Sequence, residues 1–397
     1  MKSIIDVYKV GAGPSSSHTM GPENACKKFI EKYPEVKEIK ATLYGSLALT
    51  GKGHLTDWII EKTCNERNVS VEISWKPDES VGHENSMTLE CINCDTPIKW
   101  LIHSIGGGDI RIVDQDDEQD EEDVYPHNNM KEIIHYCETN DLTFVDYINK
   151  YDKEAMNHMK IVWEVMSQAI ENGLSKDGIL PGDLKVARRA KKLFEIAEED
   201  TLLSAYAYAV NEENSSGGTI VTAPTCGACG VIPAVLRYYK EKCNLSDEKL
   251  CEGLAVAGLF GAVVKKNASV SGAEAGCQAE VGTATAMAAA AIAWITDSTL
   301  RQIVASAEIG LEHQLGLTCD PVLGYVQIPC IQRNAVGASK ARTAYNIALG
   351  VTDDEKVSFD TVVKVMYETG KDMKSEYRET ALGGLAKYFT AEDKRWY

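Results

Sequence analysis

A chain of 397 residues is too long for one small domain, and 44% hydrophobic with 25% charged residues is the composition of a globular protein with sizeable cores. That balance excludes wholesale disorder, a collagen-like fibre and a membrane bundle. A formal net charge of −18 repels phosphate backbones and offers no basic stripe, so nucleic acid is not an expected partner.

The chain opens on Met1-Lys2-Ser3-Ile4-Ile5-Asp6, without the apolar stretch of a signal peptide, which points to the cytoplasm and to reduced thiols. Gly13-Pro14-Ser15-Ser16-Ser17-His18-Thr19 then sets hydroxyls and an imidazole just before a predicted helix, Gly21–Lys32. A helix N-terminus can receive a carboxylate there, and His18 can move protons near neutral pH. The same residues also make an ordinary serine N-cap beside a histidine, and local sequence leaves both readings open. Alternation and β-branching predict strands at Ile39–Leu43, Val69–Trp75 and Ile98–Ile105, with a second helix at His54–Glu66. Gly82-His83-Glu84-Asn85-Ser86 is a weaker polar stretch of the reactive kind, whereas Gly106-Gly107-Gly108 lacks the spacing of a dinucleotide fingerprint and reads as a backbone turn. These elements describe an N-terminal α/β (α+β) domain over residues 1–138. Near its end, Asp114–Asp123 carries eight carboxylates in ten residues, which repel one another and read as a solvated loop.

From 139 to 397 the pattern is that of a larger all-α domain. Helices are predicted at Asp152–Gly173, Asp183–Glu198, Asp247–Lys265, Glu280–Ile295, Asp297–Gly310 and Ser358–Met373. Small residues such as Ala255, Gly258, Gly261 and Ala288–Ala291 let helix axes approach closely. The apolar run Val281–Ile295 is too short and small-sided for a membrane span and reads as a buried helix. Asn211-Glu212-Glu213-Asn214 reads as a polar loop.

Twelve cysteines are too sparse for a small disulfide scaffold. Four stretches set five of them in glycine- or proline-rich surroundings: Thr225-Cys226-Gly227-Ala228-Cys229-Gly230, Ser271-Gly272-Ala273-Glu274-Ala275-Gly276-Cys277-Gln278, Thr318-Cys319-Asp320-Pro321 and Ile328-Pro329-Cys330-Ile331. Thiolates on such loops, with backbone N–H groups free to bond sulfur, suit an iron–sulfur cluster. The C-x-x-C also reads as a redox pair or half a zinc site, and a free cysteine as a small core residue. Spacing alone leaves these open. Cys26, Cys64, Cys137, Cys243 and Cys251 are assigned to packing.

Six motifs in order carry a resemblance: GPSSSHTMGP at Gly13–Pro22, YGSLALTGKGH at Tyr44–His54, TAPTCGACGVIP at Thr222–Pro233, SGAEAGCQAEVG at Ser271–Gly282, LTCDPVLGYVQIPCIQRN at Leu317–Asn334 and ETALGGLA at Glu379–Ala386. Nearly end to end, the chain resembles the bacterial iron–sulfur-dependent L-serine dehydratases (L-serine ammonia-lyases) in their single-chain form, with a smaller β domain before an all-helical α domain. The resemblance implies a lyase that turns L-serine into pyruvate and ammonia. It implies a [4Fe–4S] cluster on Cys277, Cys319 and Cys330 with one iron open, and no pyridoxal phosphate. An open iron would act as a Lewis acid on the β-hydroxyl while a base removes the α-proton, His18 being the first choice and His83 the second. Ser15, Ser16, Ser17 and Asn85 are then candidates for holding the carboxylate and amino group, in a site between the two domains. A fourth thiolate would close the exchangeable iron position, so Cys226 and Cys229 are not expected to be permanent ligands. A cytoplasmic homodimer is expected. His83 is followed by Glu84 where relatives often carry proline, a departure that bears on the loop's shape. The rivals are a related lyase on L-threonine or L-cysteine, since one methyl changes selectivity only about 10- to 200-fold, and a non-catalytic cluster or thiol redox sensor.

Overall fold

The computed structural model describes residues 1–92, 94, 96–113, 123–351 and 356–389. Two hydrophobic cores organise it, one around a β-sheet and one inside a helical body. The chain enters the helical body first. Met1, Ile4, Val7 and Tyr8 are buried in the helical core, and the Tyr8 hydroxyl donates to the Leu254 carbonyl at 2.8 Å. Strand β1 (Val10–Ala12) then pairs antiparallel with a distant strand, Thr219–Val221.

Next comes the sheet domain. Helix α1 (Gly21–Lys32) matches the expected bounds and leads to β2 (Glu38–Tyr44). The short α2 (Gly45–Leu49) and α3 (Thr56–Asn65) cross to β3 (Ser70–Lys76), which lies parallel to β2 as a helical crossover requires. Three antiparallel strands complete the sheet: β4 (Asn85–Cys91), β5 (Lys99–Gly106) and β6 (Asp109–Val113), in the order β3-β2-β4-β5-β6. Period-two alternation puts Ile39, Ala41 and Leu43 on the face shared with Met87, Leu89, Trp100 and Ile102. Ala25, Cys26, Phe29 and Ile30 of α1 and Ile59, Ile60 and Cys64 of α3 cover that face. Gly106, Gly107 and Gly108 all take positive φ between β5 and β6, which only glycine adopts freely.

The helical body begins before residue 139. Helix α4 (Met130–Asn140) straddles the expected boundary at 138, and its Met130, Ile133 and Cys137 face the helical core. It is followed by α5 (Phe144–Tyr151) and α6 (Ala155–Leu174). The helix expected over Asp183–Glu198 is shorter: α7 spans Ala190–Ile196 only. Gly182 and Lys185 take positive φ, and Ile179 bridges Ala187, so the preceding residues form a turn. Helix α8 (Glu199–Asn214) leads to β7 (Thr219–Val221), the partner of β1. Then come α9 (Val231–Cys243), α10 (Asp247–Asn267), the single turn α11 (Gly272–Ala275) and α12 (Thr283–Ile295). The alanines of α12 are buried among α9, α10 and the two helices that follow, α13 (Leu300–Glu312) and α14 (Cys330–Ala348). Helix α15 (Phe359–Asp372) starts at the Ser358 cap, and α16 (Gly384–Tyr388) closes the described chain. Among the described residues no helix is long and apolar enough to cross a membrane.

Three further expectations change. Asn211-Glu212-Glu213-Asn214 is the buried last turn of α8, where Glu212 accepts from the Arg189 and Ala190 N–H groups and Glu213 pairs with Lys176. Cys26, Cys64, Cys137 and Cys251 are buried, but Cys243 is exposed at the end of α9 and serves no packing. Cys91 and Cys94, with Cα atoms 5.9 Å apart, are joined as a disulfide rather than left reduced. The acidic run lies outside the described residues except Asp123, which pairs with the Met1 amine at 3.1 Å.

Candidate active site

Ser15 does cap a turn: its Oγ accepts from the His18 N–H at 3.1 Å. That turn, Ser16–Met20, has π-type bonding and is entirely buried, so the cap and a reactive role for His18 coexist. Reciprocal bonds pin it to the loop after α2. The Thr19 hydroxyl donates to the His54 carbonyl at 2.8 Å, and the Thr56 hydroxyl to the His18 carbonyl at 2.7 Å. The two imidazoles consequently face each other, ring centroids 4.4 Å apart.

Their hydrogen bonds fix which nitrogen carries the proton. The Ser46 hydroxyl donates to the Glu379 carbonyl and the Thr50 hydroxyl to the Ser46 carbonyl, so both oxygens can only accept from His18 Nε2, at 3.3 and 3.0 Å. His18 therefore carries its hydrogen on Nε2, and Nδ1 accepts from Ser17 Oγ at 2.8 Å. His54 is the opposite tautomer: Nδ1–H donates to the Thr50 carbonyl at 3.0 Å, which leaves the Nε2 lone pair unengaged. Burial pushes both imidazoles below the usual range, His54 to about 4, so both are neutral. Glu379 Oε1 stands 3.7 Å from His18 Nδ1 and 3.9 Å from His54 Nε2. Burial and then the nearby Glu280 raise its carboxyl well above the ordinary carboxylate range.

His83 sits at the rim, 17% exposed. Its Nδ1 accepts from the Asn85 N–H at 3.0 Å, and Nε2 donates to Glu274 Oε1 at 3.3 Å. The ring stacks on His103 at 5.4 Å. Asn85 is wholly buried, and neither Oδ1 nor Nδ2 has a protein partner. Two unsatisfied amide atoms in an enclosed place are costly unless something else occupies them.

Across from these groups lie the thiols. Cys277 and Cys319 are buried and Cys330, the first residue of α14, is half-buried. Burial raises all three, Cys277 to about 11, and the three are close enough that Cys277 and Cys330 raise Cys319 further. Cys319 Sγ is 3.8 Å from Glu280 Oε2, and a Cβ on Gly272 would come within 3.2 Å of that sulfur. Glu280 is pushed up to about 6 by burial and accepts from Thr225 Oγ1 at 2.8 Å. Among the described residues no three His, Cys, Asp or Glu groups converge on a point that would hold a single ion. A cluster distributes its ligands over several irons, so three buried or half-buried thiols near enough to act on one another, with the Arg333 guanidinium beside them, are a donor set that suits it. Cys226 and Cys229 are buried behind this group, Cys226 Sγ lying 3.8 Å from Met20 Sδ.

The halves meet directly. The Ser46 hydroxyl donates to the Glu379 carbonyl at 2.6 Å and His83 Nε2 to Glu274 Oε1 at 3.3 Å, while on the helical side the Glu379 N–H donates to the Cys319 carbonyl at 2.8 Å. Thus His18 lies against Glu379, whose backbone is bonded to Cys319, and His83 lies against Glu274, three residues before Cys277. The two roomy surface cavities, about 510 and 530 Å³, lie along α4, α13 and α15 and along α6, α9 and α10, and neither is lined by these residues. Sequence reasoning passed over His54, Ser46, Thr50, Glu274, Glu280, Arg333 and Glu379. All lie inside or next to the six motifs, which was the available signal.

Two family models match the chain: the serine dehydratase alpha chain over residues 52–386 and the serine dehydratase beta chain over residues 3–63. Among curated relatives, "L-serine dehydratase" of Haemophilus influenzae is 40% identical, covering 97% of this chain and 99% of the relative. "L-serine dehydratase 2" of Escherichia coli is 39% identical over 99% and 100%, and "L-serine dehydratase" of Helicobacter pylori 38% over 97% and 98%.

Proposed function

The chain belongs to the serine dehydratase family, and from that premise we propose how it acts as an L-serine dehydratase, releasing pyruvate and ammonia. The reading places a [4Fe–4S] cluster on Cys277, Cys319 and Cys330. When bound, the cluster supplies a Lewis acid for the departing hydroxyl. The chain's own groups do the rest. The Asn85 amide, its donor and acceptor both free, and the Ser15–Ser17 hydroxyls hold the amino group and carboxylate of L-serine. His18, the base expected from sequence, has both ring nitrogens engaged, and so has His83. We therefore assign removal of the α-proton to His54 Nε2, with His18 packed on its face. Loss of the β-hydroxyl with that proton leaves aminoacrylate, which tautomerises to the imine and hydrolyses to pyruvate and ammonia.

One observation carries this reading: Glu379 lies within 4 Å of both imidazoles while its backbone is bonded to Cys319, so the base and the thiols share one enclosure. The homodimer and the cytoplasmic location are proposed on the family resemblance, and light scattering tests the dimer. The activity is tested by reconstituting the protein anaerobically with iron and sulfide, then measuring pyruvate and ammonia from L-serine, L-threonine and L-cysteine. Pyruvate from L-serine in preference to the others is expected. Iron-replete protein that releases none from L-serine would refute the reading.

A further inference from the structure

We propose that Arg333 is the positioning residue of the cluster site, a single guanidinium that ties the three thiol-bearing segments together and offsets their charge. This rests on the cluster reading above. Arg333 lies three residues after Cys330, so both share the first turn and one face of α14. Its Nη1 donates to the Thr318 carbonyl, and Nη2 donates to Asp320 Oδ1 at 2.9 Å. Those are the residues on either side of Cys319. The same guanidinium stands near enough to the Cys277 thiol to act on it electrostatically. One side chain thus reaches all three segments.

The contact has a second anchor. Asp320 is 3% exposed, and its other oxygen accepts from the Leu385 N–H at 2.8 Å, so the carboxylate that grips Arg333 is itself held from the far side. Arg333 is 18% exposed, which keeps its charge poorly screened and directed at the thiols. Lysine could supply the charge. It could not supply a planar fork serving a carbonyl and a carboxylate at once.

Two variants separate the parts of the argument. Arg333→Lys keeps the charge and loses the fork, and Arg333→Met keeps the apolar stem and loses the charge. The readouts are iron and sulfide bound per chain after anaerobic reconstitution, resistance to an iron chelator, and the rate at which the cluster absorbance bleaches in air. Partners that orient metal ligands are worth about 10- to 100-fold in affinity, and Arg333→Met is expected to lose cluster affinity by that factor and to bleach faster, with Arg333→Lys in between. Circular-dichroism melts of the iron-free proteins identify a variant that has not folded. If Arg333→Met has not, Arg333→Lys decides by the same readouts. Wild-type iron content and bleaching rate in a folded variant overturn the inference alone. Wild-type protein that takes up no cluster overturns the cluster reading and this inference with it.

Discussion

Substituting His54 by glutamine tests the assignment of the base. Glutamine retains a polar group near the Thr50 carbonyl but has no basic lone pair where Nε2 stands. A positioned general base contributes about 10²–10⁴-fold, or about 3–5 kcal/mol of barrier, so kcat should fall by that factor while iron content stays at the wild-type level. The pH dependence is a second check. The groups facing His54 are His18, neutral by burial, and Glu379, held protonated by burial. His54 titrates near 4 when folded and near 6.5 when unfolded. The unfolded chain therefore binds more protons between those values, and this histidine makes stability rise with pH across that window. The difference is about 3 kcal/mol, complete above pH 6.5. Activity of the wild type should accordingly persist below pH 6.5 and fall only toward pH 4. His54→Gln should lose less stability between pH 6.5 and 4.5 than wild type in urea titrations. A cluster-loaded His54→Gln with kcat within tenfold of wild type refutes the assignment. His18→Gln losing orders of magnitude while His54→Gln does not would return the role to His18.

Alanine at any of Cys277, Cys319 or Cys330 should remove most bound iron and the activity with it, and iron analysis at wild-type content would refute that ligand. Cys226→Ser should keep iron near wild type, because its thiol packs on Met20 behind the site; loss of the whole cluster would show the ligand set to be misassigned. Asn85→Ala should raise KM by about 10- to 100-fold, since a hydrogen bond to a charged group is worth about 1.5–3 kcal/mol, with a smaller change in kcat. An unchanged KM would remove Asn85 from the substrate.

The elements legible in sequence were those whose local pattern and final burial agree. Strand β2 alternates because one face meets α1 and α3, and α1 ends where its apolar spacing ends. Strand β4 was missed because its first residues, Asn85 and Ser86, serve the site and read as loop. The amino-terminal segment carried no local sign of its partner, since Tyr8 bonds a carbonyl 246 residues away. The site followed the same rule. Thiols on glycine- and proline-rich loops stand out by type, which singled out five cysteines, and only the family resemblance narrowed them to Cys277, Cys319 and Cys330. His54 read as the start of a helix, because its tautomer is set by a carbonyl four residues earlier that only the folded turn brings to it. Glu379 resembled any surface glutamate until pairing with Cys319 drew it inside.

Burial does opposite work on the two sides of this enclosure. Excluding water lowers the imidazoles and leaves His54 a free base at neutral pH, and the same exclusion raises the thiols toward their protonated forms. Iron binds thiolate, so cluster assembly must expel protons that burial holds in place. A dry site that favours a neutral base therefore disfavours its own metal centre unless a fixed cation stands on the sulfur side alone. Arg333 stands on the sulfur side, bonded across the Cys319 loop to Thr318 and Asp320. Charge placed beside the sulfurs lets the imidazoles remain neutral, and that asymmetry is what the junction of the two cores supplies.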